Sequence, residues 1–280
     1  MKIIATVDEL RSSVTQWRLA GECIAFVPTM GNLHDGHLQL ISEAKKHCQR
    51  VVVSIFVNPT QFCAGEDFAS YPRTISDDQQ KLITAGVDCL FLPEVSDMYC
   101  PDAKTVVSVA GLSRLYCGAF RPGHFDGVAT VVCKLFNMVQ ADVAVFGQKD
   151  FQQLAVIRIM VRDLNIPIKI IPVATIREAD GLAMSSRNSY LTPAERLIAP
   201  LLYRLLSDVQ DAILAGTTSF RNLEKDALQR LQTAGFVPDY FTICRSFDLN
   251  MAEPEDVDLV LLVAARLGRT RLIDNICFFR

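Results

Sequence analysis

The chain has 280 residues, half of them hydrophobic and 21% charged, with 28 Lys and Arg against 31 Asp and Glu for a formal net charge of −3. So much apolar material supports a packed core and excludes the composition of a disordered chain, and a length of this order allows two domains of ordinary size. No basic run is longer than Lys45-Lys46, so the broad cationic face selected by a nucleic-acid backbone is not expected.

At the N-terminus, MKIIATVDELRSSV is broken by Asp8, Glu9 and Arg11 before an apolar run reaches the length of a secretion signal. The apolar runs Val51–Val57 and Leu259–Ala265 are far shorter than the roughly 20 residues that cross a bilayer. No membrane association is expected. The nine cysteines, at positions 23, 48, 63, 89, 100, 117, 133, 244 and 277, form no C-x-x-C pair and fit neither a disulfide framework nor a zinc site. They are expected to be reduced and mostly buried, in a cytoplasmic protein.

Short β-branched runs predict strands at Cys23–Val27, Val51–Val57, Asp88–Leu92, Asp142–Phe146 and Lys169–Val173. Between them, apolar periodicity predicts helices near His37–Cys48, Ser76–Ala85, Phe125–Val139 and Phe151–Asn165. The third carries Val128, Val131, Val132, Leu135, Phe136 and Val139 on one face. This alternation predicts an α/β fold, a Rossmann-like doubly wound parallel sheet. Beyond Ile176 the rhythm changes to long helices, Pro193–Leu214 and Phe220–Thr233, followed by strands at Tyr240–Cys244, Val257–Val263 and Arg271–Asp274. The expected division is residues 1–175, the doubly wound sheet domain, and residues 176–280, a smaller α+β domain of helices and antiparallel sheet.

Ligands of open α/β sheets collect in the loops beyond the strand carboxyl ends, so polar residues there carry the functional argument. After the first of these strands comes PTMGNLHDGH, Pro28–His37, running into a helical pattern. Gly31 and Gly36 permit close backbone approach, and a new helix N-terminus favours an anion such as phosphate. His34 and His37, three residues apart, could donate hydrogen bonds to phosphate oxygens in a transition state. An ordinary βα turn with two surface histidines fits the spacing equally.

FVNPTQF, Phe56–Phe62, places Asn58 and Gln61 in the next loop, and amides suit a substrate with hydroxyl and carboxylate groups. Asn-Pro turn chemistry is the bland alternative. RPGHFDG, Arg121–Gly127, holds Arg121 and His124 and is a supporting feature. GQKDFQQ, Gly147–Gln153, opens another helix. Its Lys149 could neutralise phosphate, Asp150 could hold a ribose hydroxyl or a metal, and Gln153 could meet Gln61. MSSRN, Met184–Asn188, brings two hydroxyls to a guanidinium suited to phosphate oxygens. No Ser-His-acid or Cys-His nucleophile stands out.

Taken in order, PTMGNLHDGH, FVNPTQF, YPRT, RPGHF, FGQKDFQQ and MSSRN resemble the pattern of the pantothenate synthetase (pantoate-beta-alanine ligase) family through essentially the whole chain. His34–His37 also resembles the HIGH element, and Met184–Arg187 the KMSKS-like element, of the wider nucleotidyltransferase superfamily.

The resemblance implies an acid–amine ligase of pantothenate biosynthesis. In it (R)-pantoate and ATP give pantoyl-adenylate and pyrophosphate, and beta-alanine then displaces AMP. It implies that His34 and His37 contact phosphates, with His37 the proton donor, and that Met30, Gly31, Asn32, Leu33, Asp35 and Gly36 line the nucleotide site. Gly147 and Gln148 would join them, Lys149 would bridge phosphate and the reacting carboxylate, and Asp150 would bind ribose. Ile176 would meet adenine, and Met184, Ser185, Ser186 and Arg187 would close over the triphosphate.

Gln61 and Gln153, with Asn58, would hold the acid and amine substrates, while Asp77 and Asp78 are further helpers. Magnesium accompanying ATP and a homodimer are also implied; metal ligands are not specified. Two positions depart from the pattern, since some members carry Glu at Cys117 and a basic residue at Asp126. Two rival readings are a nucleotidyltransferase acting on a phosphate acceptor and a nucleotide-binding regulator without turnover.

Overall fold

The computed structural model describes residues 1–280. They form two compact units, one of residues 1–148 and 156–174, the other of residues 149–155 and 175–280.

The first unit begins with β1 (Lys2–Ile4) and α1 (Val7–Leu19) and continues as β2 (Ile24–Thr29), α2 (Asp35–His47), β3 (Arg50–Ile55), α3 (Ile75–Thr84) and β4 (Cys89–Phe91). Two short helices follow, α4 (Val95–Met98) and α5 (Cys117–Phe120), then α6 (His124–Val139), β5 (Val143–Gly147), α7 (Phe151–Asp163) and β6 (Lys169–Val173). The strands form one sheet in the order β1-β4-β3-β2-β5-β6, every pair parallel. This is the expected doubly wound α/β fold.

Both faces of the sheet are covered, as parallel sheets require. Ala25, Val27, Val51 and Val53 point to the side where Ile41 of α2 and Leu82 of α3 pack. On the other side Phe26 meets Phe136 of α6 edge to face, with ring centroids 6.4 Å apart. All six apolar residues expected on one face of α6 are buried. β1 and α1 lie outside the sequence expectation. A three-residue strand carries too little periodicity to read, and α1 shows only Leu10, Val14 and Trp17 as its large buried side chains.

Strand order reverses at β2, whose neighbours are β3 and β5. The carboxyl ends of β2 and β5 therefore bound the crevice where ligands of such sheets bind.

The second unit contains α8 (Pro193–Ile198), α9 (Leu201–Leu214) and α10 (Phe220–Thr233), then β7 (Val237–Arg245), β8 (Asp258–Leu267) and β9 (Thr270–Phe279) in an antiparallel sheet. The single helix expected over Pro193–Leu214 is two, because Pro200 lacks the N–H that would continue α8 and instead opens α9. β8 and β9 run longer than expected and meet in a two-residue hairpin, where Gly268 takes φ +56°. Leu205, Leu206 and Val209 of α9 pack with Ile243, Leu261 and Val263 of the sheet to form this unit's core.

One cysteine expectation needs correction. Cys23 and Cys48 are joined, with Cα atoms 4.8 Å apart, and the other seven cysteines are free. α2 runs back along the sheet after β2, which returns its C-cap residue Cys48 to the start of the strand. Sequence spacing cannot show that proximity.

Candidate active site

The loop after β2 is set by side chains that take up its own amides. Gly31 has φ +84° and Asn32 φ +51°, so the chain reverses through two left-handed residues. The Asp78 carboxylate, 0% exposed, accepts from Asn32 N at 2.8 Å and Leu33 N at 2.7 Å. Lys81 Nζ donates to Leu33 O at 2.6 Å. α3 therefore clamps this loop from both polarities. Asp77, its neighbour, is exposed in the first turn of α3.

Leu33 is buried with both main-chain groups committed, so it anchors the loop. The amides of Asn32 and Leu33 likewise face an internal carboxylate, not an external phosphate.

His34 is the N-cap of α2, and its Nδ1 accepts from Gly36 N at 3.2 Å. His37 Nδ1 accepts from His34 N at 3.3 Å, completing a reciprocal cap. A ring nitrogen that accepts from an amide is unprotonated, so each neutral imidazole carries its proton on Nε2. The two rings lie 4.1 Å apart between centroids. The two rings thus stand side by side at the N-terminus of α2, each held through its Nδ1, with exposed Asp35 in the first turn.

The loop after β3 is held more elaborately. Asn58, 1% exposed, accepts at Oδ1 from Thr60 Oγ1 at 2.9 Å and from the Tyr99 hydroxyl at 2.8 Å. Burial pushes the Tyr99 hydroxyl above its ordinary pKa. Asn58 Nδ2 donates to Gln61 Oε1 at 3.1 Å and Gly127 O at 3.2 Å. With both ends of the amide engaged in the interior, Asn58 holds Gln61 in place. Gln61 Nε2 in turn reaches Met30 Sδ at 3.2 Å, which joins the two loops.

The RPGHF motif proves to be the other half of this support. His124 Nδ1 lies 2.7 Å from Gln61 O and its Nε2 lies 2.9 Å from Arg121 Nη1. The carbonyl can only accept and the guanidinium can only donate, so His124 is neutral with its proton on Nδ1. Arg121 also donates to Gln61 O at 3.3 Å and grips Glu66 with two bonds of 2.6 and 2.7 Å. Burial raises the Glu66 carboxyl, but the Arg121 bonds and charge outweigh it and leave it below the usual range. A Cβ on Gly127 would stand 2.3 Å from Thr60 O, so glycine lets α6 touch this loop.

Of the two departures from the family pattern, Cys117 is buried at the start of α5 and Asp126 accepts from Ser108 Oγ at 2.7 Å. At the end of β5, Gly147 has no positive φ and a Cβ there would meet nothing within 4 Å. Neither backbone nor packing demands glycine there. Half-buried Gln148 follows it.

In the second unit, Lys149 and Asp150 sit in the turn that starts α7, with Lys149 Nζ 3.9 Å from Asp150 Oδ2, and Gln153 lies half-buried on that helix. Ile176 and Met184 are joined at the base of a turn by Met184 N donating to Ile176 O at 2.9 Å. Ser185 caps the short turn Ser186–Tyr190, its Oγ accepting from Arg187 N at 3.3 Å. Asn188 Nδ2 donates to Glu178 Oε1 at 3.0 Å and Ala183 O at 3.1 Å, pinning the segment.

A family model described as Pantoate-beta-alanine ligase matches residues 2–277. The chain belongs to the pantoate-beta-alanine ligase family. A relative named pantothenate synthetase from Pseudomonas fluorescens (strain SBW25) is 57% identical, with 99% of this chain and 98% of the relative covered. Another of that name from Hahella chejuensis is 55% identical, with 99% and 98% covered. The solved pantothenate synthetase of Thermus thermophilus superposes with a TM-score of 0.94 at 44% identity over 100% of both chains. That of Francisella tularensis pantoate-beta-alanine ligase, complexed with beta-gamma ATP and beta-alanine, gives 0.84 at 33% identity over 99% of this chain and 97% of the other.

Within this ligase fold, the sequence reading named the loops but missed most of what holds them. Glu66, Tyr99 and Lys81 carried no signal, because each is a common residue whose partner is distant in the chain. Asp78 was named only as a helper. Arg121 and His124 were visible as a motif without an assigned task.

Proposed function

We propose that this member of the family condenses (R)-pantoate with beta-alanine through a pantoyl-adenylate, with the residues described above in the following roles. Family membership makes the chain an ATP-dependent ligase of pantoate and beta-alanine. In the first step a pantoate carboxylate oxygen bonds to the α-phosphorus of ATP and pyrophosphate leaves. In the second the beta-alanine amine bonds to the acyl carbon and AMP leaves. No covalent enzyme intermediate is needed.

The observation that supports this most is the paired Nε2–H of His34 and His37 on a loop fixed by Asp78. Preorganised donors aimed at developing phosphate charge lower a barrier without reorganising during the reaction. His37 is the donor assigned to the leaving phosphates. Gln61 and Gln153 would hold pantoate, Lys149 would pair with phosphate and carboxylate, Asp150 with ribose, and Ile176 with adenine. Ser185, Ser186 and Arg187 would grip the triphosphate.

No cluster of three or more His, Cys, Asp or Glu side chains converges to hold a metal ion. Magnesium typically keeps several waters and binds through substrate phosphates with one or two carboxylates. Magnesium would therefore enter with ATP as substrate, held chiefly by the phosphates. A homodimer and a cytoplasmic location belong to the same reading and rest on the resemblance to the family. No helix is long and apolar enough to cross a membrane.

The test is to follow pyrophosphate and AMP with ATP, magnesium and (R)-pantoate, with and without beta-alanine. Pyrophosphate with pantoate alone, and sustained AMP only with beta-alanine, is the expected result. AMP release that needs no pantoate, or no product from folded protein, would overturn the scheme.

A further inference from the structure

Asp274 and Asn275 are adjacent on β9, an edge strand, and both are buried, at 4% and 6% exposure. Neither has an obvious place in a small apolar sheet core. Their partners explain them. Asp274 receives two bonds from Arg177, Nη1 to Oδ2 at 2.6 Å and Nη2 to Oδ1 at 3.0 Å. The same guanidinium donates to Asn275 O at 3.2 Å and Gly181 O at 3.1 Å, and lies over the Tyr203 ring at 3.7 Å from its centroid. Gly181 is required beneath it, since a Cβ there would come within 2.5 Å of Tyr203.

Arg177 is bridged to Ala183 and follows Ile176, so fixing its position fixes the turn that ends at Met184. Asn275 works in the other direction. Its Nδ2 donates to the main-chain oxygen of Lys149 at 2.9 Å. Two adjacent residues of one strand thus hold the base of the Met184–Arg187 segment and the peptide of Lys149. Stability alone is a poor reason for such an arrangement, because a buried ion pair often adds no more than well-packed apolar side chains would. What a bidentate pair and an amide supply is fixed geometry.

We infer that Arg177, Asp274 and Asn275 are positioning residues of the ligase reaction, holding the main chain of Lys149 and of the turn before Met184 where their side chains can meet the triphosphate. They touch no reacting atom. The inference rests on the reading that Lys149 acts on the phosphate and the pantoate carboxylate.

The decisive experiment is a double-mutant cycle on full-length enzyme, with pyrophosphate formation from ATP and (R)-pantoate as the readout. Asn275→Ala is expected to lower kcat of this step about tenfold, short of the roughly hundredfold that a 1 Å misplacement of a catalytic group can cost, with the pantoate KM unchanged. In a Lys149→Ala background the same substitution should cost less than about twofold, because residues acting through one group are not additive. A wild-type rate for Asn275→Ala, or the same tenfold loss repeated in the Lys149→Ala background, would overturn the positioning role. Lys149→Ala running at the wild-type rate would instead remove the underlying assignment, and the inference with it. Asn275→Ser, which shortens the reach but keeps a polar group, replaces Asn275→Ala if that variant does not fold by circular dichroism, with the same expectations.

Discussion

The loop that carries His34 and His37 and the segment that carries Ser185–Arg187 are both assigned to phosphate, yet their own amides are engaged differently. In the first, the amides of Gly31, Asn32, Leu33, His34 and Gly36 all end on side-chain acceptors, and Asp78 comes from a helix far along the chain. In the second, Arg187 N bonds to Ser185 Oγ, Asn188 N to Ser185 O and Ser189 Oγ to Ser186 O, above a base held by Asn188 and the Arg177–Asp274 pair. A proton donor must be placed to a fraction of an ångström, and pinning by remote buried groups achieves that. A segment that grips a long polyanion needs anchorage at its base, which Asn188 and the Arg177–Asp274 pair provide.

If that contrast is sound, the largest functional effect belongs to the pinned loop. His37→Ala should fold normally and lose about two to three orders of magnitude in pyrophosphate release, the usual cost of one transition-state donor. Release near the wild-type rate would end the proposed role. Asp78→Ala tests the pinning itself. It leaves the amides of Asn32 and Leu33 without their acceptor, at roughly 1 to 3 kcal/mol for each buried donor. Urea denaturation should show the loss, whereas Ser185→Ala should stay within about 1 kcal/mol, as for an exchangeable local cap.

Gln61 offers a subtler discrimination. Gln61→Ala should chiefly raise the pantoate KM, because a polar pocket rejects ligands that leave its groups unpaired, and a raised ATP KM with pantoate unaffected would reverse the assignment. His124→Ala should move the pantoate KM the same way by about a few-fold, since it releases only the Gln61 carbonyl, a single hydrogen bond. The smallest effect is on pH. Glu66 has a folded pKa below its unfolded value, so its stabilising contribution is present above the ordinary carboxylate range. It is lost as pH falls through the depressed value. The pantoate KM should therefore hold steady down to about pH 5, near the upper end of that range, and a rise beginning at about pH 6 would show that another group governs the loop.

Much of this was legible in the sequence because it depends on local period and local chemistry. Alternating β-branched runs and amphipathic stretches fix a parallel sheet whose faces must both be covered, and the loops at its carboxyl ends were identified from Gly31, Gly36 and Gly147 before any contact was known. The strand order, with its reversal at β2, follows from which strands pair, and pairing partners are not encoded at short range.

The same limit separates the named site residues from their supports. His34, His37, Gln61 and Lys149 stand in motifs because neighbouring residues must share one turn. Asp78, Glu66, Asp274 and Asn275 carry no motif, since a buried hydrogen bond specifies a distance in space and leaves the intervening chain unconstrained. Asn58 looked like a binding residue for the same reason, because an amide beside a Pro turn has the same sequence whether it faces solvent or the interior. Only packing decides which way it turns, by burying it against Tyr99 and Gly127 while Gln61 stays half-buried.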